Sequence, residues 1–76
     1  MVQEISVTPA HGGWTVAHSG AIEPTVFLSG AKAEDAARKI GAAMADAGHP
    51  AEIRIILRDG SLAGRFICTP SQYPYR

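Results

Sequence analysis

Only one cysteine, Cys68, occurs among the 76 residues, so the chain cannot carry the disulfide framework of a small secreted domain. Long hydrophobic runs are also absent, since no apolar stretch approaches the roughly 18 residues that span a membrane. Met1 is followed by polar Gln3 and Glu4 rather than by the basic and apolar segments of a signal peptide. We therefore expect a single cytoplasmic domain without a membrane segment.

An excess of either charge is missing as well, because seven Lys and Arg side chains balance seven Asp and Glu. The distribution is uneven: residues 1–31 contain no Lys or Arg, whereas residues 32–76 hold all seven basic side chains against five acidic ones. That excess is far smaller than the strongly basic face of a typical nucleic-acid-binding domain. Charge alone therefore does not indicate nucleic acid as the partner.

Clusters of residues typical of catalysis or metal binding are also lacking. The histidines His11, His18 and His49 are separated by 7 and 31 residues, whereas zinc sites use short paired spacings. The Gly-Gly pair after His11 lacks the lysine of a phosphate-binding loop, and strand alternation places Cys68 on a buried face. We expect no metal, no cofactor and no enzymatic activity.

The clearest signal present is a β-hairpin over residues 52–68. Asp59-Gly60 predicts a two-residue type I′ turn, because glycine accepts the positive φ that this turn requires. A turn of that length sets the register of the two strands. The predicted pairs on the inner face are Ile53 with Phe66, Ile55 with Gly64 and Leu57 with Leu62. The predicted pairs on the outer face are Arg54 with Arg65 and Arg58 with Ser61.

Three shorter strands precede this hairpin. Alternating apolar residues predict strands over residues 2–8, 14–18 and 25–28, with Pro9 ending the first of them. Trp14 of the second strand is either an anchor of the core or an exposed stacking surface, and we expect the core because Val16 shares its face.

Between the third and fourth strands, apolar residues at helical spacing predict a helix over residues 32–47. We expect its N-cap at Ser29 or Gly30 and its end before Gly48. Gly41 lies within the helix, where glycine costs about 1 kcal/mol relative to alanine. Its presence predicts close packing of the helix on the sheet.

The predicted order β-β-β-α-β-β defines an α+β domain over residues 1–69, with one helix packed on a five-stranded, mostly antiparallel sheet, and residues 70–76 form a tail. Five strands make a sheet about 24 Å wide, whereas a helix is about 10 Å across and cannot cover it. The uncovered area predicts a homodimer or another protein partner, although single exposed apolar residues are also normal on monomers. The candidate contact residues are Ile56, Ala63, Ile67, Tyr73 and Tyr75.

Three arginines of the hairpin, Arg54, Arg58 and Arg65, form a second candidate site. Arg54 and Arg65 oppose each other, which is unfavourable unless an anion lies between them or both point into water. The forked donors of arginine suit a phosphate, so these residues are candidates for contact with an anion or a nucleic acid. The alternative is a solvated face that discourages edge pairing, with Glu52 and Asp59 neutralising the charge.

Three segments occur in a defined order: Gly13-Trp14-Thr15-Val16, an alanine-rich helix from Ala33 to Ile40, and an Arg-Asp-Gly hairpin from Ile55 to Leu62. In this order the chain resembles a family of short bacterial proteins of unknown function, and the resemblance implies no catalytic residues. The hairpin-then-helix order around Trp14 is similar to that of HicB-type antitoxins, which bind a toxin and sometimes DNA. Their Pro-Asp-Leu-Pro-Gly-like segment is absent here.

Three functions are therefore considered, the third being binding of a small ligand in a pocket at the dimer interface, for which the sequence indicates no residues. The first is a non-enzymatic, homodimeric module that binds a protein partner. The second is a weak nucleic-acid-binding or antitoxin-like protein that uses the hairpin arginines together with Lys32, Arg38 and Lys39. Electrostatic binding of the second kind must weaken steeply with salt.

Overall fold

The computed structural model describes residues 2–20 and 23–69, which form one α-helix and five β-strands. The elements, in chain order, are β1 (Gln3–Ala10), β2 (Gly13–His18), β3 (Thr25–Phe27), α1 (Gly30–Asp46), β4 (Ala51–Ile56) and β5 (Leu62–Cys68). The strands make one sheet in the order β3-β2-β1-β4-β5, antiparallel except for the central β1–β4 pair. The α+β fold predicted from the sequence, a helix packed on a mostly antiparallel five-stranded sheet, is confirmed.

The core lies between α1 and one face of the sheet. Ile5 pairs with Ile53, and Val7 pairs with Val16, so β1, β2 and β4 present their apolar residues on the same side. The fully buried side chains include Ile5, Val7, Val16, Ile53, Ala33 and Ala37. Trp14 is partly buried against this core, as predicted, and a Cβ on Gly30 would lie 3.1 Å from its ring.

Helix α1 begins and ends at the expected signals. The Ser29 hydroxyl oxygen accepts a hydrogen bond from the Lys32 backbone N–H at 3.1 Å, so Ser29 is the N-cap. At the other end Gly48 has φ of +91°, and the His49 N–H donates to the Met44 carbonyl at 2.8 Å. The helix starts two residues earlier than predicted, at Gly30. No helix in residues 2–20 and 23–69 has the length and hydropathy needed to cross a membrane.

Gly41 allows α1 to approach the sheet closely. A Cβ at this position would lie 2.8 Å from the Cys68 Sγ and 3.3 Å from the Ile53 Cδ1. The predicted close packing is confirmed, and Cys68 lies on the inner face as expected.

Pro9 does not end β1, which continues to Ala10 with Pro9 opposite Trp14 of β2. The predicted boundary is therefore wrong. The pairing of β1 with β4 does stop just before the proline, at Val7 opposite Ile55.

The reason is the hydrogen-bonding pattern of the parallel pair. The Gln3 N–H donates to the Pro50 carbonyl at 2.9 Å, so the odd-numbered residues of β1 direct their backbone groups toward β4. Residue 9 would be the next donor in that series, and proline has no N–H. Pro9 thus ends one ladder of β1 and leaves the other intact.

The hairpin loop between β4 and β5 has three residues rather than two. The Leu57 carbonyl accepts from the Gly60 N–H at 2.9 Å, and the Leu57 N–H donates to the Ser61 carbonyl at 2.8 Å. Gly60 has φ of +87°, which is the glycine position of a type I turn followed by a bulge. The predicted type I′ turn is wrong, and so are the pairs of Leu57 with Leu62 and of Arg58 with Ser61.

A second irregularity restores the register. Ile56 pairs with Leu62, whereas Ile55 pairs with Gly64, so Ala63 is an extra residue in β5. From Gly64 onward the predicted pairs of Arg65 and Phe66 form. The bulge returns Phe66 and Cys68 to the core face, which a one-residue slip would have turned outward. It also leaves Leu62 beside Ile56 on the face away from α1.

Candidate functional site

The sheet face opposite α1, here called the outer face, is not covered by any described residue. By strand alternation it carries Ser6 and Thr8 of β1, with Thr15 of β2 beside them. The hydroxyl oxygens of Thr8 and Thr15 lie 2.8 Å apart in a cross-strand hydrogen bond. The centre of the outer face is therefore polar.

Arg54 and Arg65 oppose each other on the outer face, as predicted. The Glu52 carboxylate lies between them: it accepts a hydrogen bond from the Arg65 Nε, and its Oε1 is 3.4 Å from the Arg54 Nε. The Arg54 Nε also lies 3.1 Å from the Glu4 Oε2. These four side chains, the charge cluster, have no net charge, and the Glu52 side chain is only 12% exposed.

This arrangement supplies internally the anion that the opposed arginines require. Glu52 and Glu4 together neutralise the two arginines, whereas the alternative interpretation of the sequence assigned this to Glu52 and Asp59. Asp59 does not join the charge cluster; its Oδ1 accepts from the Ser61 N–H at 2.9 Å and from the Ser61 Oγ at 2.6 Å. These bonds lower the pKa of Asp59 and order the hairpin loop. Contact of the arginines with an external anion stays a prediction.

Arg58 is separate from the charge cluster. It lies in the hairpin loop and lines a cleft of about 420 Å³ together with His11 of the β1–β2 turn. The structure therefore brings Arg54 and Arg65 together, but not Arg58. Arg58 was predicted to join Arg54 and Arg65 because a two-residue turn would have placed all three on one face.

Apolar side chains of the outer face lie at both edges of the sheet. At the β3 edge Val26, opposite Thr15, is 65% exposed. The larger group lies at the β5 edge. Ile67 is 53% exposed and Leu62 is 50% exposed, with exposed Ala63 and partly buried Ile56 beside them. On the other face the Arg38 guanidinium covers the Phe66 ring at 4.2 Å. Leu62 was missed as a surface residue because nothing local in the sequence indicates the bulge. Tyr73 and Tyr75 lie outside the described residues.

The charge cluster predicts a specific dependence of stability on pH. The hydrogen bond from Arg65 is the largest influence that lowers the pKa of Glu52 below its ordinary value of 4.5; partial desolvation opposes it, and the charges of Arg65 and Arg54 add to it. A carboxylate with a lowered folded-state pKa stabilises the fold above about pH 4.5, and this contribution is lost as pH falls through the folded-state value.

We expect the free energy of unfolding to fall more steeply between about pH 5 and pH 3 in the wild type than in Glu52→Gln. Urea denaturation followed by circular dichroism at several pH values would measure this. Asp46→Asn, on the exposed last turn of α1, is the matched control and should follow the wild-type profile. Parallel profiles for wild type and Glu52→Gln would contradict the prediction.

His11 lies in the β1–β2 turn, His18 in β2 and His49 between α1 and β4. Within the described residues no group of three or more His, Cys, Asp or Glu side chains is arranged to hold a metal ion. No protein-family model matches the chain, and no curated protein and no solved structure matches it. The fold and the outer face define the class: a small α+β domain whose sheet is covered by a helix on one side and, among the described residues, by nothing on the other.

Proposed function

We propose that this chain is a non-enzymatic protein-interaction module that forms a homodimer through β5. The observation that carries the proposal is the position of exposed Ile67 and Leu62 on β5, the longer of the two edge strands of the sheet. A seven-residue strand is about 23 Å long, and β5 contains no proline to block pairing. An exposed apolar edge of this kind is a template for another strand.

The backbone of β5 identifies which residues would make the contact. The Leu57 N–H donates toward the β5 side, so the odd-numbered residues of β4 direct their backbone groups to β5. Their partners Gly64, Phe66 and Cys68 are therefore engaged with β4. The N–H and C=O groups of Arg65 and Ile67 consequently face the free edge.

Two copies related by a two-fold axis would join as antiparallel edge strands, giving a self-complementary interface. An axis at Arg65 would place two guanidinium groups opposite each other, which is unfavourable. An axis at Ile67 instead places the two Ile67 side chains opposite each other and pairs Arg65 with Thr69 of the second copy. We favour this register because it joins the exposed apolar side chains and separates the like charges.

Ile67→Pro tests the proposal without breaking the monomer. It removes an N–H from the free edge while the β4–β5 ladder keeps its donors, and proline is tolerated on edge strands. Sedimentation at about 100 μM, a concentration sufficient for a micromolar dimer, should give twice the 8.0 kDa chain mass for the wild type and the single mass for Ile67→Pro. Ile67→Val keeps the N–H and should remain dimeric. A monomeric wild type, or a folded Ile67→Pro dimer, would overturn the proposal.

The nucleic-acid alternative has less support, because Arg54 and Arg65 are paired with Glu52 and Glu4. Titration of the protein with single- and double-stranded nucleic acid at two salt concentrations distinguishes the two functions. Binding at low salt that weakens steeply as salt rises would favour the alternative. No binding at low salt would eliminate it.

A further inference from the structure

A cleft lies between the end of β1 and the hairpin loop, at the point where Pro9 follows the last β1–β4 pair. One wall runs from Thr8 to His11, and the other consists of residues 56–58 and Gly60. The two strands are parallel neighbours up to Val7, and they separate where the proline removes the next donor. The volume of about 420 Å³ lies in the range of small-molecule sites, roughly 300–1,000 Å³.

A backbone acceptor faces this cleft. The Pro50 carbonyl accepts from Gln3, so the even-numbered residues of β4 direct their carbonyl groups toward β1. Ile56 is the last of this series, and the donor that would pair with its carbonyl is the N–H that Pro9 lacks. The Ile56 carbonyl is therefore available to a ligand N–H.

Side chains that can donate hydrogen bonds to an anion lie beside the Ile56 carbonyl. Arg58 lines the cleft and, within residues 2–20 and 23–69, has no carboxylate oxygen within 4.0 Å, whereas Arg54 and Arg65 are both ion-paired. His11 lines the opposite wall and supplies an imidazole N–H. Between these polar groups the walls are apolar, formed by Pro9, Ala10 and Leu57.

We propose that this cleft binds a small carboxylic acid that carries an acylated nitrogen on the carbon next to its carboxylate. An N-acyl amino acid and the last residue of a peptide both have this chemistry. The carboxylate is held by the Arg58 guanidinium with His11 beside it, since arginine binds carboxylates through two parallel hydrogen bonds. The acylated N–H donates to the Ile56 carbonyl. The ligand side chain packs on the apolar wall. This binding is independent of the proposed dimer, whose contacts lie on β5.

The test is a titration of ¹⁵N-labelled protein with N-acetyl-leucine, followed by amide chemical shifts. We expect saturable shifts at Ala10, His11 and residues 57–60 at millimolar ligand, and about tenfold weaker binding of the uncharged N-acetyl-leucinamide. Arg58→Gln should weaken N-acetyl-leucine binding about tenfold as well. Arg65→Gln removes an arginine of the same hairpin outside the cleft and should leave the affinity unchanged. Pro9→Val restores the missing donor and should weaken binding.

An acetylated hexapeptide ending in leucine distinguishes the two sources of the ligand. Tighter binding of the hexapeptide than of N-acetyl-leucine assigns the site to peptide ends, and equal affinity assigns it to free N-acyl amino acids. The absence of localised shifts at about 10 mM ligand would overturn the proposal, because affinity weaker than this is too small to be specific. Unchanged affinity in Arg58→Gln, or equal shifts with inorganic phosphate, would also overturn it.

Discussion

Replacing Ile53 with alanine is expected to unfold most of the protein at physiological temperature. Ile53 has no exposed surface, lies at the centre of β4 between β1 and β5, and packs under Gly41 of α1. Truncating such a buried isoleucine costs about 2–5 kcal/mol, because the lost apolar burial is added to the cost of a cavity. A domain of this size has a net stability of only roughly 3–5 kcal/mol. The free energy lost on truncating Ile53 is therefore comparable with the total free energy of unfolding.

Urea denaturation followed by far-ultraviolet circular dichroism would measure the effect, and the ¹H–¹⁵N spectrum should lose its dispersion. Ile56→Ala is the matched control, since Ile56 is the same residue type in the same strand but lies partly exposed on the outer face. We expect it to cost about 1 kcal/mol. An equal decrease in the free energy of unfolding for the two variants would show that α1 does not cover the inner face as described.

Gly13→Ala is expected to destabilise the protein by about 1–3 kcal/mol, because added atoms in a closely packed position force the backbone to move. A Cβ on Gly13 would clash with the Phe27 carbonyl oxygen and would lie 3.7 Å from the Leu28 Cα. Those atoms belong to the backbone and cannot rotate away. The three-residue strand β3 must therefore move away from β2.

Hydrogen exchange would detect this separation as faster exchange in Thr25–Phe27, with the β1–β4 amides changing less. Gly64→Ala is the control, because Gly64 is also a strand glycine but its Cβ would meet side-chain atoms only, at 3.4 Å or more. We expect Gly64→Ala to change stability by less than about 1 kcal/mol. A Gly13→Ala protein with wild-type stability and exchange would contradict the close approach of β3.

Local patterns in the sequence were sufficient to predict every element of the described fold and most of its inner face. Two-residue alternation identified the strand faces, helical spacing identified α1, and Ser29 and Gly48 marked its ends. The pairs of Ile53 with Phe66 and Arg54 with Arg65 were predicted from a two-residue turn that does not form. They occur because the bulge at Ala63 offsets the longer loop and keeps the apolar residues on the buried face.

The local sequence does not determine the type of the hairpin loop. Asp59-Gly60 is compatible with a two-residue turn and with a three-residue loop that has Gly60 at its last position. The structure adopts the longer loop and compensates with the bulge at Ala63. The compensation depends on packing of Phe66 and Cys68 against α1, so no pattern within the hairpin could indicate it. Leu62 reaches the outer face for the same reason.

Alternation, helical spacing and capping are properties of neighbouring residues, and for this reason the sequence alone specified the elements, their inner faces and the position of α1. Which strands become neighbours depends on contacts between distant segments. Only the tertiary structure places β1 parallel to β4, and that pairing brings Glu4 to Arg54 and opens the cleft where Pro9 lacks a donor. It also leaves β5, with Ile67 exposed, at one of the two free edges of the sheet, because β4 is already bonded to β1 on its other side.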